Sequence, residues 1–181
     1  GALVKGKAVC NGYAQAMKLL CDLSGVECEM ISGRADGENH AWNLIRLDDD
    51  AWYHVDVTWD DPEPDDPERL LYSYFNLNDE EMALSHVWNA EDFVPAEGTR
   101  YQYYRKNDLY CEDMDDFREK CEDIFAKDSP ESFQVQVGDY EESRYSEEHL
   151  QFLFEYSGAR YCHLQTIGEA SYTTLYFTLD Y

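Results

Sequence analysis

An α+β fold, with a helix packed on an antiparallel sheet, follows from three features of the first sixty residues. An apolar series at helical spacing, Cys10, Ala14, Met17 and Cys21, is closed by Gly25. Two alternating runs, residues 40–47 and 51–59, are joined by Asp48, Asp49 and Asp50, which reads as a β-hairpin with a three-residue turn. Residues 26–35, between helix and hairpin, have strand character and supply a third strand.

The helix is predicted to begin at Cys10, between Gly6 and Gly12. A helix N-terminus favours thiolate over thiol, so Cys10 is a candidate nucleophile. The polar loop Asp36-Gly37-Glu38-Asn39 then delivers the chain to His40 and is expected to form part of a cleft rim. A three-residue hairpin turn sets residue 47 opposite 51, and hence Trp42 opposite Asp56 and His40 opposite Thr58. His40 and Asp56 become diagonal neighbours on one face, roughly 7–8 Å apart at the backbone and within side-chain reach. A slip of one residue would send Asp56 to the other face. His54 shares the Asp56 face by i, i+2 and is the rival base. Trp42, Trp59 and Tyr13 flank these positions as core aromatics or as substrate-binding groups.

After Trp59 comes an acidic run broken by prolines, residues 60–68, which cannot be helix or central strand and reads as a charged surface loop beside the cleft. Its carboxylates raise calcium as an alternative, although the glycine-punctuated Asp-x-Asp pattern is lacking. Residues 72–77 read as a short strand, and Asn78 or Asp79 as the cap of a helix containing Glu80, Met82 and Leu84 and ending at His86, where a histidine suits the helix dipole. From about residue 96 the composition shifts. Residues 101–110 look strand-like around a turn, 114–126 helical, and 133–137 a strand. Ser146 caps a further helix ended by Gly158, and 160–167 with 171–181 form a closing hairpin. The expected division is a core at 1–95 and a small C-terminal α/β subdomain at 96–181, which carries no catalytic motif.

Composition bounds the function. The chain has 181 residues with 39 acidic and 14 basic side chains, a formal charge of −25. That argues against nucleic acid and anionic lipid; it reads first as a solvated surface that keeps the chain in solution, with basic peptide or amine-bearing partners as the functional alternative. No apolar run approaches the roughly 18–20 residues of a membrane span, and no signal peptide is present in this fragment. The six cysteines show neither CxxC pairs nor disulfide-scaffold spacing, so no metal and no cofactor are expected. Cys10 and Cys21 lie about 16 Å apart along the helix, too far for a bridge. Cys21, Cys28, Cys121 and Cys162 read as buried small hydrophobes. Compartment and oligomeric state are not legible.

The chemistry follows from the first stretch. A thiol with a pKa of about 8.5 is only slightly ionised at neutral pH, so a helix N-terminus and a nearby imidazole are what would activate Cys10. His40, or its rival His54, would accept its proton, Asp56 would hold the imidazole in the needed tautomer, and the Cys10 backbone N–H would donate to the oxyanion. The resulting thioester passes to water or to an amine.

These residues stand in segments that resemble the transglutaminase-like superfamily of papain-like folds, and in particular its bacterial members of unassigned activity. "GKAVCNGYAQAMKLLCDLSGVECEMISG" is similar to the nucleophile helix and following strand, "NHAWNLIRL" to the histidine strand, and "AWYHVDVTWDDP" to the aspartate strand. "YSYFNLNDEEMALSH" is more weakly similar to the segment after the core. The resemblance implies a papain/transglutaminase-like core and a Cys10–His40–Asp56 triad, with His40 rather than His54 as base. It points to a secreted or cell-surface setting, and to a core whose N-terminus is truncated, so that a second oxyanion donor from upstream has no position here. A peptidase or amidase is expected. A protein-glutamine acyltransferase and a non-catalytic scaffold of the same fold are the alternatives.

Overall fold

The computed structural model describes residues 8–61, 70–168 and 172–181. The chain forms two compact units, residues 1–103 and 104–181. Residues 96–102 join the first unit because the Asp79 N–H donates to the Ala96 carbonyl, Asn76 Nδ2 donates to the Tyr101 carbonyl, and Gln102 bonds Glu81.

The first unit opens with helix α1, Cys10–Ser24. Gly25 stops it with φ 75, where a Cβ would be strained. The Gly25 N–H reaches the Asp22 carbonyl and the Val26 N–H that of Cys21, the paired bonds of a Schellman end. Strands β1 (Cys28–Ala35), β2 (Glu38–Arg46), β3 (Trp52–Val55), β4 (Phe75–Leu77) and β5 (His86–Val87) form an antiparallel sheet in the order β4-β3-β2-β1-β5. The mixed α+β architecture with this antiparallel sheet is compatible with a transglutaminase-like fold.

The turn between β1 and β2 is only Asp36-Gly37, both at positive φ, so Glu38 and Asn39 belong to β2 and not to a rim loop. A two-residue turn with both φ positive matches the twist of the paired strands. The β2–β3 register is the one a three-residue turn dictates, Asn43 facing Val55 and Arg46 facing Trp52. Asp50 takes the left-handed conformation at φ 63 that such a turn needs. Strand β3 is shorter than the alternating run: it ends at Val55 and the chain turns at Asp56.

Between β3 and β4 the register shifts at His54/Val55, and Asn76 of β4 has φ 62, the signature of a bulge carried by an asparagine. Asn78 then caps α2, Asp79–Met82, through a capping box with Glu81. This helix is a single turn. The Leu84 and Ser85 N–H groups bond the carbonyls of Glu81 and Met82 three residues back, which tightens the end and frees His86 to pair with Ala35 in β5. His86 is therefore a strand residue, not the helix terminus expected from the sequence. Strand β2 is covered on both faces: Trp42 and Leu44 cluster with Ile31, Tyr74 and Met82, while Ile45 clusters with Cys21, Cys28, Tyr53 and Val55.

The second unit is a four-stranded sheet in the order β6-β7-β9-β8, from β6 (Tyr110–Cys111), β7 (Ser132–Val137), β8 (Tyr161–Ile167) and β9 (Thr173–Asp180). Strands β6 and β7 run parallel and the other pairs antiparallel. The one-turn helix α3, Tyr103–Lys106, replaces the expected strand there. Helix α4, Met114–Lys127, is capped by Asp113, whose carboxylate accepts the N–H groups of Asp115 and Asp116. Ser146 does not open a long helix, because its hydroxyl is held by His149 and residues 146–151 form turns; helix α5 is Phe152–Ser157, ended by Gly158 at φ 71. Phe133 and Phe177, directly paired across β7 and β9, stack at 4.7 Å in the core. The tip of the closing hairpin at 169–171 and residues 62–68 of the acidic run, on which its calcium alternative rests, lie outside the described residues. Among the described residues no helix is long and apolar enough to cross a membrane.

Candidate functional site

The end of β3 places the most densely bonded side chain of the first unit. Asp56 is fully buried, where an unpaired carboxylate would be costly, and each of its oxygens has two partners. Oδ1 accepts the N–H groups of Thr58 and Trp59 at 3.0 and 3.3 Å, capping the turn that ends the strand. Oδ2 meets His40 Nε2 at 2.5 Å and His86 Nε2 at 3.1 Å. Burial by itself would raise the Asp56 pKa; the hydrogen bonds and positive potential of the two histidines outweigh it and hold the carboxyl below its ordinary value. An ionised carboxylate only accepts, so both imidazoles present Nε2–H to it. His40 then keeps Nδ1 as its free nitrogen, the one able to accept a proton.

His54 is excluded as the partner of Asp56. Its Nδ1 accepts the indole N–H of Trp42 at 3.0 Å and its Nε2 meets Asp79 at 2.8 Å. Indole can only donate, so Nδ1 carries no proton and the ring is neutral. Burial first, with the nearby His86 adding to it, depresses the His54 pKa below 6.5 against the upward pull of Asp79.

The pH dependence of stability follows from these shifts. A histidine with a depressed folded pKa binds its proton more readily when unfolded, so its contribution is complete above about pH 6.5 and is lost as pH falls through the folded value. Asp56, also depressed, adds a second loss below about pH 3.8. Asp60 runs the other way: burial first, then the Asp56 charge, raises its pKa well above 3.8, so its contribution is present at low pH and is lost as pH rises. Asp60 is half-exposed as a residue, but its Oδ1 accepts the Tyr74 N–H at 2.9 Å and its carboxyl is turned inward. The urea midpoint is expected to fall between pH 7.5 and 5, with a flatter slope in His54→Gln, which cannot take the proton. An unchanged slope would remove His54 as the cause.

Aromatic rings wall the site. Trp42 is 1% exposed and lies stacked against His40 at 6.0 Å and edge-on to His86 at 4.9 Å, so it faces the histidines from the protein side. Trp59 is half-buried, 5.7 Å from His40 and 4.6 Å from His86. Gly33, opposite His40 in β1, allows this closeness: a Cβ there would lie 2.3 Å from the Val87 carbonyl of β5 and 2.7 Å from the Trp42 ring. Tyr13 donates to Asp61, tying α1 to the segment after Trp59. Cys10 is half-buried at the first position of α1, where the helix offers its N–H no acceptor. The structure thus brings His40, Asp56 and His86 together, with Trp42 and Trp59 around them. Among the described residues no hydrogen bond joins Cys10 to His40.

Sequence reasoning places His86 at a helix end and misses its place in the site, because the helix signal after Asn78 runs through it. Nothing local marks the strand, since Ser85-His86-Val87-Trp88 is two polar residues followed by two apolar ones and does not alternate. The ligand atoms of His40, Asp56 and His86 lie within 4.8 Å of one another, a donor set in kind suited to a transition metal. Their spacing argues for shared protons instead: 2.5 Å between nitrogen and oxygen is a hydrogen-bond distance, and two ligands of one tetrahedral ion at about 2.0–2.1 Å would stand farther apart.

An antiparallel sheet, a helix that begins with cysteine, and a β2 histidine bonded to a buried aspartate just past the end of β3 are compatible with a transglutaminase-like fold. Comparison with known proteins bears on this: residues 1–57 match the Transglutaminase-like superfamily, so that stretch of the chain is similar to it. The kyphoscoliosis peptidase of Homo sapiens is 34% identical over 65 residues, covering 29% of this chain and 10% of that protein. Its Mus musculus counterpart is 32% identical over the same length. The chain therefore spans about a tenth of the length of these curated relatives. No solved structure gives a significant match. The likeness of residues 1–57 to this superfamily is compatible with a cysteine-dependent enzyme.

Proposed function

We propose that this chain is a cysteine-dependent amide hydrolase, a peptidase or amidase, with Cys10 as nucleophile, His40 as general base and acid, and Asp56 as the group that holds His40. The observation carrying the reading is the buried 2.5 Å contact between His40 Nε2 and Asp56 Oδ2, which leaves Nδ1 to take the thiol proton. In the first step Nδ1 accepts that proton and the thiolate adds to the amide carbon. The oxyanion forms near the N-terminus of α1, where backbone N–H groups and the helix dipole favour negative charge. Collapse expels the amine, protonated by His40, and leaves a thioester. Water, giving a proton to His40, then adds to the thioester, and the acid leaves as the thiol is regenerated.

Hydrolysis is preferred to cross-linking because amine capture must compete with water at roughly 55 M, which calls for a dry channel that orients the amine. The relative's designation as a peptidase supports the same choice. The acidic composition favours a basic peptide substrate, and it also keeps lysine in view as an acyl acceptor.

Alkylation by iodoacetamide tests the reading. At pH 7, Cys10 is expected to label at least about tenfold faster than an unassisted thiol, and His40→Ala to abolish the difference. Cys162 is the internal reference, half-buried like Cys10, while the other four thiols are buried. Equal, slow labelling of Cys10 and Cys162 would favour the scaffold alternative. A glutamine peptide offered with a labelled primary amine then separates the two enzymes: free acid marks the hydrolase, and faster amide incorporation would reverse the choice.

A further inference from the structure

We propose that His86 is a positioning residue: by donating Nε2–H to Asp56 Oδ2 it fixes the carboxylate that holds His40 in the tautomer and orientation acyl transfer needs. The inference rests on the catalytic reading above. Asp56 has two oxygens with about two acceptor sites each, and four donors occupy them: Thr58 and Trp59 N–H on Oδ1, His40 and His86 on Oδ2. A carboxylate so filled cannot rotate. With His86 gone, Oδ2 keeps one donor in a site with no water-accessible surface, and burial pushes Asp56 toward its neutral form. A neutral carboxyl can itself donate, which turns His40 around to accept at Nε2 and removes Nδ1 as the base.

His86 is held in turn by several contacts. Ser85 Oγ lies 2.8 Å from its Nδ1, which accepts when Nε2 carries the proton. The backbone pairs with Ala35, and the ring is enclosed by Trp59, Trp42 and Tyr74. The ionisable groups around Asp56 are His40 from β2, His86 from β5 and Asp60 from the turn after β3; the His54–Asp79 pair stands beyond His86. A packing residue would need none of this hydrogen bonding, so the donor can be tested apart from the volume.

His86→Leu keeps volume without a donor, and His86→Gln returns an N–H near the position of Nε2. Two readouts are taken on the full chain: the Cys10 alkylation rate at pH 7, and the tautomer of His40 in long-range proton–nitrogen spectra of the ring. The leucine variant is expected to label about tenfold more slowly and to mix the His40 tautomers, with glutamine restoring both. Wild-type behaviour of both variants, or equal slowing with the His40 tautomer unchanged, would overturn the proposal. If Cys10 of the wild type is not fast, the catalytic reading fails separately and the spectra still decide: an unchanged His40 tautomer in His86→Leu refutes the positioning role. Should the leucine variant not fold, Ser85→Ala replaces it, freeing His86 Nδ1; a several-fold slowing with mixed tautomers is expected, and no change counts against the proposal.

Discussion

Asp56→Ala is expected to cost the fold about 3–5 kcal/mol and to remove the assisted reactivity of Cys10. Truncation leaves two buried imidazole N–H groups without an acceptor and uncaps the turn at Thr58 and Trp59, so the loss reaches both the sheet and the site. Against a domain stability of about 5–15 kcal/mol, that is a large share. Denaturant titration reads the structural part. Asp56→Asn separates the two effects, because the amide oxygen can still cap the turn while its NH2 group faces imidazole nitrogens that must now accept. His40 is then driven into the tautomer with Nδ1 protonated, a change that lowers turnover about 10⁴-fold in serine-protease triads. A stable Asp56→Asn protein with the alkylation rate of the wild type would remove Asp56 from the mechanism.

Where local rules controlled the outcome, the sequence was readable. Gly25 announced the end of α1, and a three-residue turn of aspartates fixed the β2–β3 register on which the reach from His40 to Asp56 depends. Period-2 alternation could not reveal that β3 stops at Val55, because the stop is made by the Asp56 side chain bonding its own turn. His86 was hidden for a different reason. It comes to Asp56 through a two-residue strand paired with β1 across fifty residues of sequence, and such a pairing has no local signature. The helix before it carries a strong cap at Asn78, and Leu84 at helical spacing extends the pattern in the sequence. The carbonyls of Glu81 and Met82 are instead taken by tight i+3 bonds that end the helix after one turn. Gly33 belongs to the same class: nothing around it in the sequence shows that Val87 and Trp42 approach within reach of a missing Cβ.

Trp42→Ala is expected to destabilise the chain by about 3–5 kcal/mol, the range for removing a large buried aromatic. Trp42 is central because three histidines depend on it: it stacks on His40, meets His86 edge-on, and gives its indole N–H to His54. Trp42→Phe divides packing from polarity. Phenylalanine fills much of the space but leaves His54 Nδ1 without a donor in a buried setting, at a cost of about 1–3 kcal/mol. That vacancy can accept a proton, so the His54 pKa should rise toward its ordinary value and the stability loss between pH 7.5 and 5 should shrink in the phenylalanine variant. Cys10 alkylation should stay close to the wild-type rate there, because His40 keeps an aromatic wall and its Asp56 partner. A phenylalanine variant as stable as the wild type would show that the bond from Trp42 to His54 contributes nothing. Loss of labelling with stability retained would instead make Trp42 a direct determinant of His40 geometry.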